Sequence, residues 1–223
     1  MDTKDQQTIK TLPLRVIVAA VIFFISLFVF AWLVHEIVSE NEASFDGRAF
    51  RFFKAHSSPG MIQFFKNLTF FGSPYFLMPA YILIIIWLAI IKRKNDAIDI
   101  AIIAITGTIL MDGLKLIIGR VRPDLPLFDA LNNYSFPSGH ALSSFIFCSV
   151  LIWLTWKGPW PSKPWKWTLS IILLLISFLI GISRIVLRYH YASDVLAGFC
   201  LGFAWVLLSL WLQKRLRRVK REM

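Results

Sequence analysis

A histidine and an aspartate near the C-terminal end are the side chains best suited to attack a phosphate ester. His190 and Asp194 stand four residues apart, where a polar segment gives way to an apolar run. If this segment is helical, the two side chains share a face and the carboxylate can hold one imidazole nitrogen. The other nitrogen is then oriented and becomes a better nucleophile. A plain helix-capping pair is the structural alternative.

A second histidine follows a sequence that is typical of a helix start, Pro137-Ser138-Gly139-His140. Ser138 is a good N-cap residue, and Gly139 lets the backbone come close to a ligand. The free N–H groups and the positive dipole end at such a position bind anions. His140 can then face the same anion and donate a proton to the departing oxygen as a general acid. By itself, such a histidine is more often a hydrogen-bonded structural residue.

Three cations complete a site that could neutralise phosphate without a metal. A phosphate monoester carries about two negative charges near neutral pH, and Lys115, Arg122 and Arg184 are spaced to meet it. Lys115 and Arg122 are seven residues apart, so they would line one helix face if the helix continued to Pro123, which would end it. No metal-ligand spacing occurs, so we expect no metal and no cofactor. Arg120 and Arg188 fit no required role and are interpreted as contacts to lipid headgroups.

The composition predicts an all-α polytopic membrane protein. The 223 residues are 57% hydrophobic, and a transmembrane helix needs about 20 mostly apolar residues. Six stretches are apolar enough, or nearly so: Val16–Val34, Tyr75–Ile91, Ala97–Ile118, Ala141–Trp156, Trp167–Val186 and Val195–Leu212. The first is interpreted as a retained helix rather than a cleaved signal peptide. We therefore expect a six-helix bundle that forms one membrane domain over residues 1–223, with the motif region at 115–194.

The positive charge is distributed as in a membrane protein, which argues against nucleic-acid binding despite a net charge of +11. Most of the 24 Lys and Arg residues fall on one side of the six-helix plan, beginning with Lys4 and Lys10 and then around Lys92, Lys163 and the tail after Lys214. The positive-inside rule places that side, with both termini, in the cytoplasm. The motif segments then share the outer side, as one site requires.

The long first external connection is predicted to contain short interfacial helices. Phe45, Ala49, Phe52 and Phe53 recur at roughly helical spacing among basic residues, although Phe50 blurs the pattern. Met61, Phe64 and Phe65 indicate a second short helix. Such amphipathic helices lie in the headgroup region. They either wall the entrance for a lipid substrate or merely cap the bundle.

Three ordered motifs resemble the type 2 phosphatidic acid phosphatases, membrane lipid phosphatases that share a site with the vanadium haloperoxidases. They are Lys115 with Arg122-Pro123, the segment Pro137 to His140, and Ser183-Arg184 with His190 and Asp194. The resemblance implies His190 as nucleophile, His140 as acid and Asp194 as partner of the nucleophile. It implies phosphate binding by Lys115, Arg122, Ser138, Gly139 and Arg184, and metal independence.

The small size and compact loops suggest a bacterial cell-membrane enzyme. With His190 as nucleophile we expect a phosphohistidine, and the charge distribution places the reaction on a lipid phosphate at the outer face. Phosphatidylglycerophosphate or undecaprenyl diphosphate is favoured as substrate, and phosphatidic acid remains an alternative. The membrane lipids are the only partners expected, with no obligatory protein partner. A phosphotransferase that moves the phosphate to another lipid or sugar, or a non-catalytic lipid-phosphate transporter, would use some of the same residues.

Overall fold

Helices make up all regular secondary structure in the residues that a computed structural model describes, which are 13–39, 44–124, 126–129, 131–159 and 162–222. They are α1 (Leu14–Val38), α2 (Ser44–His56), α3 (Pro59–Thr69), a short 3-10 helix (Phe70–Gly72), α4 (Pro74–Ile90), α5 (Lys94–Ile118), α6 (Gly139–Lys157), α7 (Lys163–Val186) and α8 (Ala192–Glu222). The predicted all-α class is confirmed. Lys4 and Lys10, which entered the topology argument, lie outside the described residues.

Five of the helices are long and apolar enough to cross a membrane: α1, α5, α6, α7 and α8. The predicted second span differs. Helix α4 has 17 residues, about 26 Å at about 1.5 Å per residue, which is shorter than a hydrocarbon core of about 30 Å. Pro59–Gly72 and Pro74–Ile90 meet at a bend of 41° and together make a sixth candidate span. The chain is therefore a multi-pass membrane protein with five or six spans.

Helix α6 lies at the centre of the bundle, where it packs against α4, α5, α7 and α8. The main core cluster joins α4, α5, α6 and α8 through Leu88, Ala97, Ile100, Ile103, Leu142, Ile146, Val150, Leu201 and Val206. Helix α1 packs on the outside against α8 and leaves most of its apolar side chains exposed. A helix that is apolar on its exposed face fits contact with lipid rather than water.

A glycine brings α6 and α8 close together at the end of the bundle where both begin. A Cβ atom on Gly198 would lie 2.8 Å from the carbonyl oxygen of Ser138 and 3.2 Å from the amide nitrogen of Leu142. Both distances are too short for a side chain, so only glycine allows this approach. The starts of α6 and α8 carry two of the three predicted motifs, and Gly198 therefore sets their separation.

Ion pairs hold the opposite end of the bundle. Asp96 pairs with Arg93 at 2.7 Å and also with Lys157, while Asp99 pairs with Arg217 in α8. The two acidic residues near the start of α5 thus have cationic partners, which lowers the cost of placing them at the edge of a membrane span. Helix α8 continues beyond the predicted end at Leu212 and carries Arg217 to this position.

Two short amphipathic helices, α2 and α3, occupy the long connection after α1, as predicted. In α2, Phe45 and Phe52 are exposed, whereas Ala49, Phe50 and Phe53 pack against the apolar cluster between α6, α7 and α8. Phe50, which blurs the spacing in the sequence, is thus an inward residue, whereas Phe45 and Phe52 face outward. The inward face is set by contact with α7 and α8, which local spacing does not reveal. Helix α3 packs against α7.

Candidate active site

The eight residues predicted for a phosphate site lie at one end of the bundle. Lys115 lies in the last turn of α5 and Arg184 in the last turn of α7, while Arg122 lies in the loop after α5. Ser138 caps α6, which begins with Gly139 and His140. His190 and Asp194 flank the start of α8. These elements meet because α5 and α7 end where α6 and α8 begin. A backbone hydrogen bond of 3.0 Å from the Ser138 amide to the Asp194 carbonyl joins the starts of α6 and α8.

The backbone after α7 places His190. The Arg188 amide donates to the Ile185 carbonyl at 3.0 Å, and the Tyr189 amide donates to the Arg184 carbonyl at 2.9 Å. Arg188 itself adopts a left-handed conformation with φ 57°. Together these features form a Schellman motif, the common C-terminal cap in which one left-handed residue reverses the chain. His190 follows directly, and its amide also donates to the Arg184 carbonyl at 3.1 Å.

Asp194 reaches His190 through a helix cap and not through a shared helix face. Helix α8 begins only at Ala192, so the helical spacing assumed for His190 and Asp194 was wrong. The Asp194 carboxylate accepts the Tyr191 amide at 3.0 Å, as the third helical residue does in a capping box. The same oxygen lies 3.3 Å from Nδ1 of His190. The capping alternative and the histidine contact are therefore both realised.

The neighbours of His190 define its tautomer. Oδ2 of Asp194 faces Nδ1, and the guanidinium of Arg122 lies 3.1 Å from Nε2. A carboxylate only accepts hydrogen bonds and a guanidinium only donates them. This pattern places the proton on Nδ1, and the lone pair of Nε2 accepts the hydrogen bond from Arg122. This is the form in which imidazole acts as a nucleophile.

Burial and positive charge keep the His190 imidazole neutral. His190 is 2% exposed. Burial, followed by the positive charges of Arg184, Arg122 and Lys115, holds the pKa of His190 well below its usual range. The same three cations and His190 surround His140. Both histidines therefore face the same cations, and His190 differs in that it also contacts a carboxylate.

Arg122 is held in the loop between α5 and α6. Helix α5 ends at Ile118 because Gly119 adopts a left-handed conformation, with φ 65°, and its amide donates to the Lys115 carbonyl at 3.0 Å. The predicted span end at Ile118 agrees with this, and the condition of a helix that continues to Pro123 is not met. Arg122 instead donates to the Asn133 carbonyl at 2.8 Å and to the Tyr189 carbonyl at 2.7 Å. Burial lowers the pKa of Arg122, although a guanidinium remains protonated in proteins.

The other two cations are also buried. Nζ of Lys115 donates to the Tyr134 carbonyl at 2.8 Å. Arg184 is 3% exposed, and its guanidinium stacks on the Tyr189 ring at 4.2 Å. Nε of Arg184 is buried without a hydrogen-bond partner among the described residues. A buried unpaired donor is costly unless it meets a ligand, so its position favours anion binding here.

The start of α6 presents two free amides to this cluster. Ser138 caps the helix, and its hydroxyl accepts the Ala141 amide at 3.5 Å. The Gly139 and His140 amides donate to no other group in the part of the chain that the structure describes. A Cβ on Gly139 would lie 2.8 Å from the sulfur of Met111, so a larger residue there would have to displace that flexible side chain. His140 is half-buried beside these amides.

Two residues that the sequence argument missed complete the surroundings of Asp194. Arg120 donates to Oδ1 of Asp194 at 2.6 Å and to Oδ2 of Asp46 at 2.9 Å. Although burial disfavours its charge, these two carboxylates raise the pKa of Arg120 above its usual value. The interpretation of Arg120 as a headgroup contact was wrong. The need of a buried Asp194 for a counter-charge was the available signal, but 74 residues separate Arg120 from both carboxylates.

The interfacial helices both reach the site. Asp46 of α2 accepts the Ser193 amide at 2.8 Å and the Ser193 hydroxyl at 2.6 Å. At the end of α3, the Thr69 hydroxyl accepts a hydrogen bond of 2.9 Å from Arg184. The connection that contains α2 and α3 therefore does more than cap the bundle, because it holds two charged side chains of the site, Arg120 and Arg184, in position.

The donor set at this end of the bundle is cationic. Among the described residues, no three or more His, Cys, Asp and Glu side chains form a group that could hold a metal ion. Three cations, two free amides and two histidines surround a common space, and only a small part of each cation is exposed. This arrangement can bind an oxyanion and expose it to the lone pair of His190.

Comparisons with known proteins also indicate phosphate chemistry. The model of the PAP2 superfamily matches residues 96–218. The chain is 30% identical over 165 residues to phosphatidylglycerophosphatase B of Bacillus subtilis, covering 74% of this chain and 81% of that protein. It is 28% identical over 149 residues to an undecaprenyl-diphosphatase of Sulfolobus acidocaldarius, covering 62% of this chain and 64% of that one.

A solved structure supports the relationship. The crystal structure of a transmembrane PAP2-type phosphatidylglycerolphosphate phosphatase from Bacillus subtilis superimposes with a TM-score of 0.78 at 28% identity, covering 86% of this chain and 96% of that one. The matched family region contains most of the cluster described above, from Lys115 to Asp194. The chain therefore belongs to the PAP2 superfamily and is a multi-pass membrane enzyme of the lipid phosphatase class.

Proposed function

We propose that this enzyme hydrolyses a phosphomonoester or diphosphate on a membrane lipid through a phosphohistidine at His190. The single observation that carries the proposal is the placement of the His190 imidazole between Asp194 at Nδ1 and a guanidinium at Nε2. A lone pair at Nε2 inside a ring of cations is placed to attack phosphorus. On substrate binding, Arg122 transfers its hydrogen bond from Nε2 to a phosphate oxygen and frees the nucleophile.

In the first step, Nε2 of His190 forms a bond to phosphorus as the bond from phosphorus to the lipid oxygen breaks. Lys115, Arg122 and Arg184, with the Gly139 and His140 amides, bind the remaining phosphate oxygens and the charge that develops on them. The His140 imidazolium donates its proton to the departing oxygen. The negative charge of the bound phosphate offsets the surrounding cations and favours a protonated His140 in the complex.

In the second step, water attacks the phosphohistidine. His140, now neutral, takes a proton from that water. The bond from phosphorus to Nε2 breaks, its electron pair returns to Nε2, and inorganic phosphate is released. Both histidines then regain their starting protonation states. The protein residues supply all proton transfers, so we propose that no metal takes part and that residues 1–223 act as one catalytic domain.

The names of the relatives guide the substrate class. One is a phosphatidylglycerophosphatase and another an undecaprenyl-diphosphatase, so we propose phosphatidylglycerophosphate or undecaprenyl diphosphate as the substrate, with phosphatidic acid as a weaker choice. We propose that the site faces the outside of the cell membrane and that both termini are cytoplasmic. The ion-paired end with Lys157 and Arg217 carries most of the basic residues, and the positive-inside rule favours the cytoplasm for it.

The test is phosphate release by the purified protein in phospholipid vesicles that contain one lipid phosphate at a time, with excess chelator. We expect hydrolysis of at least one of the three lipids and no hydrolysis after His190→Ala. His35→Ala is the matched control, because His35 is an exposed histidine of α1. Unchanged hydrolysis by His190→Ala, or a strict need for a divalent metal, contradicts the proposal. Loss of the lipid phosphate that requires an acceptor lipid or sugar, and that yields the phosphorylated acceptor in place of inorganic phosphate, identifies a transferase.

A further inference from the structure

The buried carboxylate that orients His190 depends on charges outside the three sequence motifs. Asp194 is 0% exposed, and an ionised carboxylate in such a place needs a partner of opposite charge. Its Oδ2 atom serves the Tyr191 amide and His190. Its Oδ1 atom is held by Arg120 at 2.6 Å. Arg120 is thus the cation that directly compensates the charge of Asp194.

Arg120 is in turn held by the first external connection. Its second terminal nitrogen donates to Asp46 of α2 at 2.9 Å, and its guanidinium lies over the Tyr191 ring at 4.0 Å. Asp46 is only 5% exposed. Asp46 also accepts the amide and the hydroxyl of Ser193, which precedes Asp194. A single carboxylate therefore fixes both the guanidinium and the first turn of α8.

We propose that Arg120 and Asp46 are positioning residues of the catalytic unit, Arg120 by holding Asp194 in place and Asp46 by holding Arg120 and the start of α8. This inference rests on the proposed function, in which His190 is the nucleophile. Neither residue needs to touch the substrate, because both act through Asp194. Helix α2, which lies outside the family region at residues 96–218, then belongs to the catalytic architecture and not only to the membrane surface.

Removal of Arg120 should have a specific effect on the pH dependence of the enzyme, because it changes the protonation of the unit formed by His190 and Asp194. Without Arg120, a proton on this unit is favoured, since a positive charge in contact with the carboxylate is gone. When the extra proton lies on the imidazole, both ring nitrogens carry hydrogen, and Nε2 has no lone pair with which to attack phosphorus. The other charged or titratable groups that face the unit are unchanged by the substitution: Asp46, Lys115, Arg122, His140, Arg184 and Tyr191.

The first experiment measures kcat, KM and the pH profile of Arg120→Gln in vesicles, with Arg120→Lys alongside. We expect kcat to fall about 100-fold, as for other residues that orient a catalytic group, with KM changed by less than about threefold. The acid limb of the kcat profile should move to higher pH. Arg120→Lys should recover about a tenth of the wild-type rate, because it keeps one charge-assisted bond to Asp194. Arg48→Gln, an exposed arginine of α2, is the matched control.

The second experiment uses Asp46→Asn, a change of equal size that keeps the protein testable if Arg120→Gln fails to fold. We expect a fall in kcat of about tenfold, because Arg120 and the start of α8 lose their anchor. The acid limb should not move upward as in Arg120→Gln, because loss of the negative charge of Asp46 itself disfavours a proton on the unit. The double variant should be little slower than Arg120→Gln alone, because residues that act along one path are not additive. Effects that multiply, or a change confined to KM, overturn the inference.

The two proposals fail in different ways. If His190→Ala keeps the wild-type rate, the proposed function is wrong. If His190→Ala is inactive while folded Arg120→Gln and Asp46→Asn keep the wild-type kcat and pH profile, only the positioning inference is wrong.

Discussion

Replacing Asp194 by asparagine tests the geometry of the site most directly. The carboxylate accepts from three donors, Arg120 at 2.6 Å, the Tyr191 amide at 3.0 Å and Nδ1 of His190 at 3.3 Å. An asparagine has one acceptor oxygen and one donor group at the same positions. Whichever way the amide turns, its NH₂ group faces a donor, either Arg120 or the pair formed by Tyr191 and His190.

The magnitude follows from burial. Removing one partner from a buried ion pair costs about 3–5 kcal/mol, and about 1.36 kcal/mol corresponds to a tenfold change in rate. If this loss falls on the transition state, kcat drops by about 10²-fold to 10⁴-fold. An imidazole that turns to the other tautomer also loses its lone pair at Nε2, where Arg122 still requires an acceptor. The effect should therefore appear in kcat more than in KM.

The assay is release of inorganic phosphate from the preferred lipid in vesicles, with thermal unfolding of the same preparation as a check on folding. Asp129→Asn is the matched control, because Asp129 is an exposed aspartate in the connection between α5 and α6. Folded Asp194→Asn with a kcat within tenfold of wild type would refute the reasoning that Asp194 orients the nucleophile.

Three further predictions concern the acid, the pH profile and helix packing. His140→Ala should slow hydrolysis of lipid esters by about 10²-fold to 10⁴-fold. It should slow hydrolysis of an activated aryl phosphate much less, because that leaving group needs no proton. Equal losses for the two substrates, measured by product release, contradict a role of His140 as general acid. The pKa of His190 is held well below its usual value of 6.5. Activity should therefore persist as pH falls to about 6 and be lost only when His190 gains a proton. A kcat/KM profile with its acid limb above 6.5 would contradict a neutral His190 as nucleophile. Gly198→Ala should destabilise the protein by about 1–3 kcal/mol, because its Cβ would meet the Ser138 carbonyl at 2.8 Å. The control Gly113→Ala in α5, with nothing within 4 Å of the added Cβ, should be neutral or stabilising. Equal melting temperatures for the two variants would count against the packing argument.

The sequence by itself determined the fold class, the approximate spans and the set of motif residues. Runs of apolar residues long enough to cross a bilayer are a local property, and a helix satisfies its own backbone hydrogen bonds in lipid. The motif residues could be identified because phosphate chemistry needs cations and imidazoles, and few ionisable residues interrupt the apolar segments. The predicted third span even ends where α5 ends, at Ile118, because Gly119 stops the helix before Pro123.

Only the tertiary structure decided how the catalytic pair is held. His190 lies in the short turn between two caps, so its contact with Asp194 comes from a capping box and not from helical spacing. Arg120 and Asp46 come from distant segments and meet Asp194 through packing of α2 against α8. A buried carboxylate requires a counter-charge, but which residue supplies it depends on how the helices pack in three dimensions and leaves no periodic signal in the sequence.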